Sequence, residues 1–77
     1  MKFEKLECVV LAHDIVKHGL RSGDLGTVVS VYPENGIEVE FVRGSGATQA
    51  SLTLTDKDIR KIDSYDLLAI RRLAEVA

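Results

Sequence analysis

Seventy-seven residues suffice for one small domain, and a chain of this length buries only about 60–65% of its unfolded surface, so every apolar strand face counts. Twelve acidic against ten basic residues give a formal net charge of −2, which argues against a broad electrostatic footprint for DNA or RNA and supplies no polybasic segment for a membrane surface. The single cysteine, Cys8, excludes an internal disulfide framework, and the longest apolar run, residues 8–12, is far short of a signal-peptide core or membrane span; together these predict a soluble, cytoplasmic protein.

In chain order, residues 6–12 read as a first strand, with Val9 and Leu11 facing inward. Residues 13–22 form a longer, more polar connection that Ile15, Val16 and Leu20 pin back onto the core. The stretch 23–41, GDLGTVVSVYPENGIEVEF, organises the rest: a glycine turn, a strand, a second turn and a second strand. Gly23 and Gly26 permit positive φ or close backbone approach where the chain enters that strand. A two-residue Asn35-Gly36 turn would mix Val29 and Val31 with Glu38 and Glu40 on one face. A three-residue loop, Glu34-Asn35-Gly36 with Gly36 left-handed, sorts them better. It places Val29, Val31, Ile37, Val39 and Phe41 inside, with Ser30, Tyr32, Glu38 and Glu40 outside.

Residues 43–46, Arg-Gly-Ser-Gly, make a second turn, after which Thr48, Ala50, Leu52 and Leu54 alternate with Gln49, Ser51 and Thr53 in a further strand. Residues 55–58 resemble a capping box opening a single helical turn, and residues 59–62 are read as a short closing strand rather than as a continuing helix. Residues 64–77 read as an amphipathic helix capped by Asp63 or Ser64, with Asp66 in its first turn. Its wheel sets Leu67, Ile70, Leu73, Ala74, Val76 and Ala77 against Arg71, Arg72 and Glu75. A lone helix of that length is marginal in water, so it must cover a barrel end or pack on another subunit.

Five short strands, a longer first loop, tight hairpins and a turn before the last strand predict a mainly β fold: a small SH3-like five-stranded barrel over residues 1–63, with 64–77 as a C-terminal α-helix of the same domain. The expected interior comprises Val9, Leu11, Leu25, Val29, Val31, Val39, Phe41, Leu52, Leu54 and Ile59. The runs Val9-Val10-Leu11, residues 19–29 (GLRSGDLGTVV), Val39-Glu40-Phe41 and Leu52-Thr53-Leu54 resemble a family of small, mostly bacterial domains of unknown function sharing a G-D-x-G-T-V-V…V-E-F pattern. That resemblance covers roughly residues 6–60 and implies the compact β fold, with no activity, cofactor or catalytic residue to carry over. The Gly-Asp-x-Gly-Thr-Val part also resembles, more weakly, the KOW motif of ribosomal and transcription-associated barrels.

Candidate chemistry is sparse. Glu38 and Glu40 point the same way from one strand, but no third ligand has suitable spacing for a metal, and a solvated outer sheet face accounts for them. Asp24, between two glycines, is positioned to accept from backbone N–H groups of its turn. The surrounding sequence is no phosphate loop, since it lacks the lysine and the glycine spacing. Cys8, His13 and His18 are the only candidates for nucleophilic or metal chemistry, and nothing local prepares them; Cys8 in an apolar strand reads as a small hydrophobe. Lys17, His18, Arg21 and Arg43 make a thin basic set near one end, and four aromatic residues leave little stacking surface for bases. The sequence therefore predicts a non-enzymatic, cofactor-free and metal-free protein-binding module with Tyr32, Glu38, Glu40, Leu67, Ile70 and Leu73 as its protein-binding residues, forming a homo-oligomer, a dimer, held at least partly by the helix over residues 64–77. The alternative reading is a KOW-like nucleic-acid-binding barrel.

Overall fold

The computed structural model describes residues 3–73. Five strands, β1 (Cys8–Leu11), β2 (Leu25–Val31), β3 (Ile37–Val42), β4 (Thr48–Leu54) and β5 (Ile59–Lys61), form one antiparallel sheet in the order β4-β3-β2-β1-β5. The sheet is not closed, because β4 and β5 lie at its two edges and do not pair; the expected barrel is in this respect corrected. It is nevertheless strongly curled. Only residues 55–58 join the two edge strands, and that link is a tight turn in which the Asp58 N–H donates to the Thr55 carbonyl at 3.0 Å. Four strand spacings in a flat sheet measure about 19 Å, more than such a turn spans, so the edges must bend toward each other.

The curled sheet wraps a core of Val9, Leu11, Val28, Ile37, Val39, Phe41, Ala50, Leu54 and Ile59, joined by Phe3 and Leu20 from outside the strands. Val9 and Leu11 face inward as expected, and residues 59–61 are a strand. Leu25 and Val29, expected inside, are not in the core, and Val28 replaces Val29. The cause is a register shift between Val28 and Ser30: Val28 pairs with Val39, and Val31 with Ile37, so one extra residue bulges in between. Val16 is exposed on a 3-10 turn, Val16–His18, whereas its neighbours Ile15 and Leu20 bridge to one another and do pin the loop. A second irregularity between Phe41 and Val42 turns Thr48 to the outer face, again against simple alternation. Phe3 is buried with the Lys61 ammonium 5.1 Å from its ring centre, a contact that strand periodicity does not reveal.

The β2–β3 loop does have three residues, but shifted by one. The Tyr32 N–H donates to the Gly36 carbonyl at 2.7 Å, leaving Pro33, Glu34 and Asn35 as the loop, and Asn35 rather than Gly36 is left-handed, at φ 66°. Proline suits the first position of a type I turn, and asparagine tolerates the left-handed region better than most residues. Asn35→Val is accordingly expected to cost about 1–2 kcal/mol in chemical denaturation, and Gly36→Ala less. The reverse order would show that the loop is drawn wrongly.

Over the described residues 64–73 the expected C-terminal α-helix is not formed. A turn does begin where its cap was read: the Asp63 N–H donates to Asp66 Oδ2, the Tyr65 N–H to Asp63 Oδ1 and the Asp66 N–H to the Asp63 carbonyl, at 2.6, 2.9 and 3.0 Å. That is the reciprocal bonding of a capping box, and it stops after one turn. Residues 67–73 continue as irregular chain. Nucleating a helix is unfavourable, and propagation needs an apolar surface to receive Leu67 and Ile70; here both side chains point into solvent. Ala74, Val76 and Ala77, the remaining apolar positions of the expected helix, lie outside the described residues.

Candidate binding surface

The residues singled out in the sequence fall into two groups at different places on the sheet. Tyr32, Glu38 and Glu40 occupy the outer face of β2 and β3. Tyr32, half-exposed at the end of β2, lies so close to Gly36 that a Cβ there would be 3.1 Å from its ring. Glu38 accepts hydrogen bonds from the Ser51 and Thr53 hydroxyls at 2.9 and 2.8 Å, and Glu40 accepts one from Thr48 at 2.6 Å. The two carboxylates are thus the rungs of a β3–β4 side-chain ladder, a role that suits half-buried acids on a sheet face. Among the described residues no group of three His, Cys, Asp or Glu side chains is placed to hold a metal ion.

Residues 62–73 form a strap on the other side. Its first anchor is Asp66, held by two parallel bonds from Arg60 on β5, at 2.8 and 2.9 Å. Its second is Arg71, whose Nε and Nη2 donate to the two carboxylate oxygens of Asp24 at 3.0 and 2.7 Å, while Nη2 also donates to the Gly19 carbonyl at 3.1 Å. Arg60 and Leu25, the residue after Asp24, are the two register partners of Val10 on β1, so the anchors straddle the outer face of that strand. Val10 is only 4% exposed although it points away from the core, whereas Cys8, two residues earlier on the same face, is exposed and not the buried hydrophobe expected.

Asp24 does accept from the backbone of its turn, from the Arg21 N–H at 2.7 Å, as its position between glycines suggests. Its pairing with Arg71, 47 residues later, has no local signal. Partial burial pushes the Asp24 carboxyl up, but the bonds from Arg71 and the Arg21 N–H, with the nearby positive charge, outweigh it and leave the group below its ordinary value. The Arg60 guanidinium, helped by the Asp63 N–H, holds Asp66 at about 2.

Both acids are therefore depressed relative to the unfolded chain. Their support for the strap is fully present above the ordinary carboxylate range, near about 4, and is lost as pH falls through the lower folded values. In an NMR titration the amide signals of residues 63–73 are expected to move together between about pH 4 and pH 2, ahead of the β-sheet signals. A strap that detaches above pH 4, or never, would show that these pairs do not hold it.

Between strap and sheet lies an open groove of about 990 Å3, bordered by Arg21, Arg43, Arg71, Arg72, Leu20 and Leu73. Of the basic set read from the sequence, Arg21 and Arg43 meet here; Lys17 and His18 do not line it, and two arginines assigned to the polar side of a helix do. Leu73 is partly buried in its wall, whereas Leu67, Leu68 and Ile70 stay exposed. His13 lies elsewhere, with Nε2 2.6 Å from Asp58 Oδ1 and Nδ1 3.1 Å from the Asp14 carbonyl. Two acceptors facing the ring favour the doubly protonated form, and the Asp58 bond chiefly raises its pKa. This is a clasp between the first loop and the 55–58 turn, with no nucleophile bonded to it among the described residues.

Over residues 5–61 the chain matches a family model described as a domain of unknown function, DUF4926. The chain belongs to that family. The DUF4926 match takes in all five strands, with Tyr32, Glu38, Glu40 and the first three contributors to the strap's anchorage, Gly19, Asp24 and Arg60. It ends at Lys61, where β5 ends, so Asp66, Leu67, Ile70, Arg71 and Leu73 lie beyond it. No curated protein and no solved structure matches the chain. No helix among the described residues is long and apolar enough to cross a membrane.

Proposed function

We propose that this chain is a non-enzymatic protein-binding module that self-associates as a dimer through the strap. The supporting observation is the exposure of Leu67 at 89%, Leu68 at 66% and Ile70 at 102%, together with Tyr65 at 98%, on one short segment. Soluble monomers seldom leave so many large apolar side chains adjacent and uncovered, and a two-fold contact between straps buries both copies at once. The segment is also presented in a defined place, since Asp66 and Arg71 tie it down on either side of Leu67 and Ile70. The same proposal takes the curled sheet as SH3-like, on its strand order and the tight 55–58 link, and a reducing cytoplasmic setting from the lone cysteine.

Light scattering on the full chain at about 100 μM tests this, because a specific interface of standard size holds at micromolar levels. A dimer mass is expected, falling to the monomer when Leu67→Asp and Ile70→Asp are combined. A parent chain that runs as a monomer at that concentration sinks the reading.

A further inference from the structure

The groove between strap and sheet has a chemistry distinct from the exposed apolar residues. Arg21, Arg43 and Arg71 border it, and the carboxylates beside them among the described residues are Asp14 and Asp24. Three positive charges against two negative ones leave a local surplus of one among the described residues, in a chain whose formal net charge is −2. The positive charge is therefore concentrated here against the trend of the molecule. Asp24 is taken up by Arg71, and the Asp14 carboxylate accepts the Ser22 N–H at 2.8 Å. The guanidinium groups of Arg21 and Arg43 donate no hydrogen bond to any described residue and are exposed.

We infer that this groove binds a carboxylate-bearing, extended segment of a protein partner, with Arg21 and Arg43 as its carboxylate receptors. Guanidinium forks match carboxylates in paired hydrogen bonds, and a groove with one sign of charge concentrates ligands of the other. Val16, exposed, and Leu73, partly buried, sit among the arginines, so the fitting segment alternates acidic with apolar residues. Nucleic acid fits less well: of the four aromatic residues only Phe41 borders this region, and at 2% exposure it offers bases no stacking surface. Asp24 is a positioning residue in this account, since by holding Arg71 it sets the strap as the groove's second wall.

This inference rests on the protein-binding reading but not on self-association, and the two fail separately. The probes are a fluorescein-labelled peptide of repeated Glu-Leu pairs, its Lys-Leu counterpart and a fluorescein-labelled oligo-dT, titrated by anisotropy with the full chain at low and at physiological salt. The Glu-Leu peptide is expected to bind saturably, the Lys-Leu peptide not at all. Arg43→Glu and Arg21→Glu, both at exposed positions that leave the core untouched, should each weaken binding by about tenfold or more while circular dichroism stays that of the parent. Arg43→Lys should keep part of the affinity, because the charge remains while the fork is lost. Absence of saturable Glu-Leu binding, affinity unchanged in Arg43→Glu, or tighter binding of oligo-dT lost in the same variant would each overturn the inference. A parent chain that is dimeric by light scattering yet binds no acidic peptide sinks the groove alone; one that binds the peptide as a monomer sinks only self-association.

Discussion

Replacing Phe41 with alanine is expected to cost about 3–5 kcal/mol, through lost burial and the cavity left behind. Phe41 is 2% exposed and lies on β3 in the middle of the sheet, flanked by β2 and β4, so few neighbours are free to collapse into the space. A domain of this size holds only about 4–8 kcal/mol in total, so the variant should be largely unfolded near body temperature. Glu40→Ala, one residue earlier, removes an exposed hydrogen bond from Thr48 and should cost about 1 kcal/mol or less. Thermal and urea unfolding of the two variants side by side reads the difference. Exchanged behaviour would mean that β3 presents its other face to the core.

Gly26→Ala is expected to cost about 1–3 kcal/mol, and Gly26→Val more, from overpacking. A Cβ at this position would stand 2.6 Å from Val39 Cγ1 and 2.9 Å from Phe41 Cε2, both closer than carbon atoms approach. Neither neighbour has slack: Val39 is wholly buried and stiff at its one side-chain torsion, and Phe41 is held in the same core. The glycine is there for close approach, not for a positive φ, which distinguishes it from Gly23 at φ 97°. Pairing Gly26→Ala with Val39→Ala should return part of the lost stability, because the second change removes the atom that the first one strikes. If Gly26→Ala alone were as stable as the parent, the packing of β2 on β3 would have to differ from that described.

The strands and their order along the chain follow from local pattern. β-branched runs bounded by glycine, proline and asparagine placed β1 to β5 within a residue or two, and alternation alone put Val9, Leu11, Val39, Phe41 and Leu54 inside. Asp24 and the glycines around it announced a turn, because a short acid between residues of free φ can bond its own backbone. The outer position of Glu38 and Glu40 was equally plain.

Three things were settled by tertiary contact. The bulge between Val28 and Ser30 exchanges Val29 for Val28 in the core, because register obeys the fit of the whole sheet and a single inserted residue reverses the faces that follow. The sheet curls without closing, since its edge strands meet only through the 55–58 turn. Residues 64–73 carry helix signals in their spacing and cap, yet a helix of that length needs a surface to bury its apolar side. Arg60 and Asp24, distant in sequence, instead hold Asp66 and Arg71 apart on either side of β1. That choice also builds the arginine-lined groove, which no local pattern contains, because one of its walls comes from a segment whose own spacing argues for another structure.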